Sequence, residues 1–173
     1  ITNDVRFTAA LPQVQQLADQ RGGADAQADS RQELDAIFSA LLATHPEYSQ
    51  VRLIGLANFG REIVRVDQYE SRMTTVQGRD LQEKAHFPYV FETVRLSPGQ
   101  LYISDINLNR EPGAGSAQDK PTLRIATPVM SSGGRVFGVV VINVDLDGMF
   151  EQIRKDFPRD LEVLLTNQDG DYL

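Results

Sequence analysis

The apolar residues of this chain recur at helical spacing near its start and alternate with polar residues farther along. The helical spacing covers residues 2–21 and predicts a first helical segment. Pro12 lies inside it and is expected to kink or restart the helix, because proline lacks the backbone N–H. Gly22 and Gly23 predict where the segment ends. The chain is therefore expected to begin with a helical segment that is interrupted at Pro12.

A second helix is predicted to begin at Ser30. Residues 24–29 are small and polar and predict a loop, and Ser30 with Glu33 matches a capping box. The apolar residues that follow form one stripe, namely Leu34, Ile37, Phe38, Leu41 and Leu42. Their spacing predicts a helix that buries this stripe against a sheet, and Pro46 predicts its end.

From residue 51 onward the pattern predicts strands joined by turns. Two hairpins are predicted, one from residues 51–57 and 62–67 and one from residues 122–130 and 135–145. The run over residues 139–144 is the most apolar of the chain and is expected to be a central, buried strand.

The remaining segments complete the predicted order of elements. They are a polar loop over 68–78, short helices within 81–93, a strand over 101–106, a loop over 111–120, a helix over 146–156 and a strand over 161–166. Asp169 and Gly170 then predict another tight turn. Helices first, then antiparallel strands, indicate an α+β fold class.

Charged side chains within the predicted strands indicate a surface for a small ligand. Arg65 and Asp67 share one face of their strand, and Arg124 lies in another strand. Because a buried arginine binds a carboxylate with two parallel hydrogen bonds, Arg65 and Arg124 are candidate anion-binding residues. The alternative is that both arginines lie on an exposed face or pair with Asp67 and Asp105.

Other polar residues extend this candidate site. Tyr102 and Ser104 alternate onto one face of their strand, which suits a ligand pocket or a half-buried tyrosine in a sheet equally well. Lys84 and Tyr89 lie in the segment that connects the first hairpin to the next strand, and such segments often cover a pocket. Asn143 lies in the most apolar strand and needs a polar partner there.

The composition argues against several functions. A net charge of −7 argues against general affinity for nucleic acid or for anionic membrane surfaces. The chain has no cysteine, two histidines and scattered carboxylates, so it predicts no disulfide, no metal site and no cofactor. A hydrolase would need a nucleophile beside a base, for which Ser104 and His86 are the candidates, and we expect no catalytic residue.

The chain resembles bacterial extracytoplasmic sensor domains of the PDC or Cache type. More narrowly, it is similar to the double-Cache ectodomains of membrane histidine kinases and diguanylate cyclases. The stretches that carry the resemblance are, in chain order, DVRFTAALPQVQQLA, YSQVRLIGLANFGREIVRVD, LQEKAHFPYVFET, GQLYISDINLNRE, PTLRIATPVM, GRVFGVVVINVDLDGMF and LTNQDGDYL. Together they cover nearly the whole chain.

This resemblance implies a long N-terminal helix followed by a PAS-like antiparallel sheet whose pocket faces away from that helix. Residues 1–160 are then a membrane-distal sensor module, and residues 161–173 are the start of a truncated second module. The resemblance also implies a periplasmic location, a tether to the inner membrane, a homodimer and signalling without catalysis. We therefore expect the chain to be part of a longer receptor.

The resemblance also places a ligand pocket. Its expected residues are Arg65, Asp67, Lys84, Tyr89, Tyr102, Ser104 and Arg124, with Asn109 and Arg110 at the rim. The aromatic-rich signature of amino-acid receptors is not found and tryptophan is absent, which argues against an amino-acid ligand. We expect a small carboxylate or related anion between Arg65, Arg124 and Lys84. The alternative is a ligand-free interaction or dimerisation module that contacts a periplasmic protein.

Overall fold

The structure is a computed structural model that describes residues 1–70, 72–109, 119–158, 161, 164–167, 170 and 172. Its helices are α1 (Thr2–Ala9), α2 (Pro12–Ala18), α3 (Ala24–Thr44), α4 (Ala57–Gly60), α5 (Pro88–Phe91) and α6 (Asp147–Asp156). Its strands are β1 (Tyr48–Gly55), β2 (Glu62–Tyr69), β3 (Arg72–Val76), β4 (Tyr102–Ile103), β5 (Asn107–Leu108), β6 (Pro121–Met130) and β7 (Val136–Asp145). Within the described residues, none of the helices combines the length and apolar character that a membrane span requires.

The strands of the described residues form one antiparallel sheet in the order β3-β2-β1-β7-β6-β4, and β5 also pairs with β6. Both predicted hairpins are confirmed, because β1 pairs with β2 and β6 pairs with β7. β7 lies between β1 and β6, and its residues 138–144 are buried. The structure thus confirms the α+β fold class and the central strand.

Helices α1, α2 and α3 cover one face of this sheet. The predicted stripe of α3 is confirmed, because Leu34, Phe38 and Leu42 are fully buried and pack in the same core as Val51 and Leu53 of β1. The interruption at Pro12 is also confirmed, since α1 ends before it and α2 begins with it. We call the side of the sheet that these helices cover the helix face.

The predicted start of the second helix is wrong. α3 begins at Ala24, so residues 24–29 are helical rather than a loop. Ser30 lies buried inside the helix, where its Oγ donates a hydrogen bond to the carbonyl oxygen of Ala26 at 2.9 Å. Alanine has the highest helix propensity, and three of residues 24–29 are alanines, so the helix extends back to Gly23 at its N-cap.

Two predictions for the strands also need correction. The polar loop over 68–78 is wrong, because β2 continues to Tyr69 and pairs with β3 there. β3 is an edge strand whose outer face meets solvent, so polar residues do not prevent it from forming. The strand over 101–106 is shorter than predicted: β4 ends at Ile103 and β5 follows at Asn107.

The other connecting segments agree with expectation where the structure describes them. α5 and a 3₁₀ turn at Thr93–Arg95 confirm the short helices within 81–93, and α6 confirms the helix over 146–156. The strand over 161–166 lies partly outside the described residues, and in the described part Thr166 forms one antiparallel bridge with Tyr172. The loop over 111–120 lies outside them except for residues 119 and 120.

Candidate functional site

The face of the sheet opposite the helices carries a row of buried polar side chains. The register aligns Asp67 of β2, Gln50 of β1, Asn143 of β7 and Arg124 of β6 side by side across four strands. Each of these residues is at most 5% exposed. The amide of Gln50 donates from Nε2 to Asp67 Oδ1 at 2.7 Å and accepts from Asn143 Nδ2 at 3.3 Å. We call this side of the sheet the polar face.

A second set of charges lies beside this row. Arg65 donates from Nε and Nη2 to the two carboxylate oxygens of Asp67, each at 2.8 Å. Glu62 lies between two guanidinium groups, with Oε2 3.5 Å from Arg65 Nη1 and Oε1 3.6 Å from Arg52 Nη1. Arg52 Nη2 also donates to Asn143 Oδ1 at 2.9 Å. The side chains of Arg52 and Glu62 are fully buried, so these charges are held away from water.

The pKa of Arg65 shows how its charge is maintained. Burial by itself acts to lower this pKa, because it disfavours the charged guanidinium. The hydrogen bonds and the attraction of Asp67, with a smaller contribution from Glu62, outweigh burial and raise the pKa above its usual value. Arg65 is therefore cationic, and Asp67 occupies one edge of its guanidinium.

Tyr89 of α5 covers the middle of the polar face. Its hydroxyl accepts a hydrogen bond from Arg52 Nη1 at 2.9 Å. The Arg52 guanidinium carbon lies 4.8 Å from the centre of the Tyr89 ring, and that of Arg124 lies 5.7 Å from it. Two cations thus approach one aromatic ring, an arrangement that each cation–π contact stabilises.

Lys84 covers another part of the polar face and is 1% exposed. Its Nζ donates to Gln82 Oε1 at 2.7 Å, and the backbone N–H of Gln82 donates to Glu62 Oε2 at 2.9 Å. Lys84 Nζ also lies 4.9 Å from the centre of the Phe87 ring. We call residues 82–91, which include Lys84 and Tyr89, the cover segment.

The cover segment is fixed to the sheet by α4, a short turn between β1 and β2. The backbone N–H groups of Lys84 and Ala85 donate to the carbonyl oxygens of Gly60 and Phe59, at 2.8 and 3.1 Å. Asn58 and Phe59 have φ angles of 52° and 56°, in the left-handed region. Gly60 has φ 71°, and a Cβ there would lie 2.6 Å from the nitrogen of Ala85, so this close approach requires glycine.

Arg124 contacts the far edge of the sheet. Its Nη1 donates to Asn107 Oδ1 at 2.8 Å and its Nη2 donates to Asn109 Oδ1 at 3.2 Å. Ser104 Oγ accepts from the backbone N–H of Arg124 at 2.9 Å and donates to the carbonyl oxygen of Asp105 at 2.8 Å. The Ser104 hydroxyl is therefore used to hold the backbone at this edge.

The structure brings five of the seven predicted site residues onto or over the polar face, namely Arg65, Asp67, Lys84, Tyr89 and Arg124. Tyr102 is half-buried and packs against the apolar cluster that contains Tyr89. Burial raises the pKa of Tyr102, and the charge of Asp105 adds to this effect. Ser104 lies at the edge, and Asn109 is buried next to Arg124. Arg110 lies outside the described residues.

The chemistry of a hydrolase or a metal site is not found among the described residues. Ser104 Oγ bonds only to backbone groups there, and His86 is exposed and packs on Phe87 with ring centres 4.2 Å apart. No group of three or more histidine, aspartate or glutamate side chains in this part of the chain is arranged to hold a metal ion.

Sequence reasoning missed Arg52, Glu62 and Gln50. A signal for them exists in the first hairpin, because its register places Arg52 opposite Arg65 and Gln50 opposite Asp67. Opposite residues of an antiparallel pair project to the same side, so assuming this pairing would have added both to the predicted site. Glu62 begins β2 after the turn and follows the same register after a bulge.

The chain matches the family model described as "Bacterial histidine kinase, sensor domain" over residues 11–173. A sensor domain is the part of such a kinase that is not itself catalytic. Among curated protein sequences, none matches this chain.

Solved structures of sensor domains share the fold. A domain of a sensory box/GGDEF family protein from Vibrio parahaemolyticus is 21% identical, with a TM-score of 0.68 over 87% of this chain and 54% of that one. The extracellular domain of the histidine kinase vpHK1S-Z8 is 20% identical, with a TM-score of 0.65 over 87% and 52%.

A third solved structure is the ligand-binding domain of the Campylobacter jejuni chemoreceptor Tlp3 in complex with L-valine. It is 11% identical, with a TM-score of 0.59 over 91% of this chain and 54% of that one. The chain thus spans about half the length of each of these structures. The likeness establishes a fold of the PDC/Cache type, with N-terminal helices followed by an antiparallel sheet.

Proposed function

Because the chain belongs to the family of bacterial histidine kinase sensor domains, we propose that its polar face binds a small carboxylate or related anion. The observation that carries this proposal is the burial of Arg52, Arg65 and Arg124 on the polar face, together with Lys84 of the cover segment. Placing four cations out of water is costly. Glu62 and Asp67 offset part of that cost, and a bound anion would offset more of it. A domain of the same fold, that of the Campylobacter chemoreceptor, holds L-valine, which carries a carboxylate.

The side chains have different roles in this proposal. Arg124 donates to amide oxygens of Asn107 and Asn109, and a ligand carboxylate in their place would give its guanidinium a negatively charged partner and the geometry for two parallel hydrogen bonds. Lys84 and Tyr89 close over the ligand from the cover segment. Arg65 is held by Asp67, so this pair forms the floor of the site.

The remaining parts of the proposal concern the receptor. Residues 1–160 form the membrane-distal module of an extracytoplasmic sensor, and residues 161–173 begin a second module. The receptor is a membrane-tethered homodimer with a histidine kinase or diguanylate cyclase output. Binding favours the arrangement in which the cover segment is closed, and it shifts the equilibrium only by its differential affinity for the two arrangements.

A thermal-unfolding screen against small organic acids, amino acids and amines tests the ligand class. A ligand at about 100 times its dissociation constant adds about 2.7 kcal/mol of stability, which is a shift of several degrees. We expect a carboxylate to produce such a shift in the parent protein and in Arg154→Gln, an exposed control whose arginine pairs with Glu151. The shift should be lost in Arg124→Gln. A carboxylate that stabilises Arg124→Gln as much as the parent would contradict the proposed site.

One observation favours the alternative of a ligand-free interaction module. The side chains of the polar face already bond to one another and to the cover segment, so a ligand can enter only if that segment moves. Against it, the apolar residues of α1 and α2 do not form an exposed stripe, because Val5, Val14 and Leu17 are at most 4% exposed. If no compound in the screen stabilises the protein, and Arg124→Gln only destabilises it, the interaction module becomes the better proposal.

A further inference from the structure

A second concave site lies at the turn end of the first hairpin, on the helix side of the sheet. It is a cleft of about 1200 Å³ between α2, α3 and the ends of β1, β2 and β7. Ile63 and Phe137 line it and pack against the core of the helix face. Leu17 and Leu56 add to its apolar wall. The volume slightly exceeds the range that ligand pockets usually have, which is about 300–1000 Å³.

Three arginines line the same cleft. Arg61 donates from Nη2 to the carbonyl oxygen of Gly78 at 3.0 Å. Arg31 and Arg135 are exposed, and within the described residues their guanidinium groups form no ion pair and no hydrogen bond. The cleft therefore presents guanidinium donors beside an apolar wall.

Asp35 is the carboxylate of α3 in this cleft, and it does not cancel the arginines. Its side chain forms no ion pair within the described part of the chain. Burial raises its pKa, because it disfavours the charged carboxylate. Glu62 also lines the cleft, so three arginines face two carboxylates there. The balance of charge in the lining is thus positive by one, although the chain as a whole has a net charge of −7.

We propose that this cleft is a second binding site, which takes an organic anion with an apolar body, such as a medium-chain carboxylate. The head group is bound by Arg31 and Arg135, which are available to form charge-assisted hydrogen bonds. The apolar body lies against Leu56 and Phe137, where its burial supplies the rest of the affinity.

The position of the cleft gives this second site a route to the polar face. Leu56, Ala57 and Asn58 line the cleft, while the next residues, Phe59 and Gly60, accept the hydrogen bonds of the cover segment. Two of the residues that join these sites have left-handed φ angles, a conformation that persists only where surrounding contacts enforce it. A ligand that changes the conformation of α4 thus changes the backbone hydrogen bonds that position Lys84.

Isothermal titration of the 173-residue protein with octanoate tests the site, with octylammonium as the ligand of opposite charge. We expect saturable binding of octanoate, and no more than weak binding of octylammonium. The double variant Arg31→Gln/Arg135→Gln should bind octanoate at least about tenfold more weakly, since both charge-assisted contacts are lost. Ala28→Trp, which fills the cleft from α3, should abolish binding.

Two controls separate this site from the polar face. Ala40→Trp makes the same change at another exposed position of α3, outside the cleft, and should bind octanoate normally. Arg124→Gln should also bind it normally, because Arg124 lies on the polar face. Thermal unfolding of each variant verifies that it is folded.

The remaining outcomes would overturn the proposal. Absence of saturable binding would do so, and so would octanoate binding that Ala28→Trp leaves unchanged. Tighter binding of octylammonium would make Asp35 the recognition residue and would exclude an anion. Loss of octanoate binding in Arg124→Gln but not in the double variant would place octanoate on the polar face, which would support the first proposed site while rejecting the second.

Discussion

The two faces of the sheet are built on the same strands from opposite chemistry. In β1, Val51 and Leu53 project to the helix face, while Gln50 and Arg52 project to the polar face. Both sets are buried, since Val51 and Arg52 are each 0% exposed. Burial stabilises the helix face directly, whereas burial of charge costs free energy that only partners offset. The comparison indicates that the helix face stabilises the fold, and it supports the proposal that the polar face binds a ligand.

The largest expected effect tests the helix face. Phe38→Ala should reduce the free energy of unfolding by about 4 kcal/mol, because the phenyl ring is fully buried between α3 and the sheet. Phe7→Ala is the matched control, since Phe7 is 64% exposed and its loss should have almost no effect. Chemical denaturation measures both. An equal loss of unfolding free energy in the two variants would contradict the conclusion that the buried helix face stabilises the fold.

The next effect tests whether the polar face contributes net stability. Asp67→Asn should cost about 3 kcal/mol, because Arg65 then remains buried beside a neutral amide. Arg65→Met/Asp67→Leu removes both charges and should recover most of this loss, because well-packed apolar side chains often replace a buried ion pair without cost. Chemical denaturation of the parent, the single variant and the double variant measures these differences in the free energy of unfolding. A double variant as unstable as Asp67→Asn would show that the ion pair stabilises the fold.

A smaller effect tests the contact between Gly60 and the cover segment. Gly60→Ala should cost about 2 kcal/mol, from its left-handed φ and from the contact of its Cβ with the nitrogen of Ala85. Gly99→Ala is the matched control, because Gly99 has φ 77° but open space around a Cβ. Gly60→Ala should also weaken carboxylate binding in the thermal screen, and Gly99→Ala should not. Equal carboxylate affinity in the two variants would show that the cover segment takes no part in binding.

The smallest effect concerns a polar contact on the helix face. The Tyr48 hydroxyl donates to Asp4 Oδ2 at 2.6 Å and joins β1 to α1. Tyr48→Phe should therefore cost about 1 kcal/mol at neutral pH. Burial and Asp4 raise the pKa of Tyr48, so its hydroxyl is protonated and remains the donor.

This contact also predicts a pH dependence. The hydrogen bond from Tyr48 lowers the pKa of Asp4, although burial opposes it. A carboxyl with a lowered folded-state pKa stabilises the fold above its unfolded pKa of about 3.9, and this contribution is lost as the pH falls through the folded value. The difference between the parent and Tyr48→Phe should thus be present at pH 7 and shrink in acid. A difference of equal size under both conditions would exclude Asp4 as the acceptor.

Much of the fold could be predicted because its signals are local. The stripe of α3 repeats with helical spacing, and the run in β7 is long and apolar, so each identifies its element without knowledge of the rest. The start of α3 could not be predicted, because the capping pattern at Ser30 competed with the helix propensity of the alanines before it. β3 was missed because its polar residues fit an edge strand as well as a loop.

The candidate site was harder to predict for a physical reason. Charged residues in strands usually face solvent, so Arg52 within an apolar run gave little signal by itself. Its burial depends on Tyr89, which lies 37 positions farther along the chain and covers it from α5. The register of β1 with β2 was the information that the sequence pattern lacked, since it determines which residues face the same side of the sheet.

The central position of β7 distinguishes two kinds of opening, unfolding of the whole domain and local opening of the cover segment. β7 is paired with β1 on one side and with β6 on the other. Its backbone N–H groups are therefore expected to exchange with solvent only when the whole domain unfolds. The cover segment is joined to the sheet by the backbone bonds around Gly60 and Glu62 and by the hydrogen bond from Arg52 to Tyr89, and we expect it to open locally at a lower free energy than the whole domain. A ligand of the proposed site would then enter without unfolding of the whole domain, and the sheet would stay intact while the cover segment opens and closes.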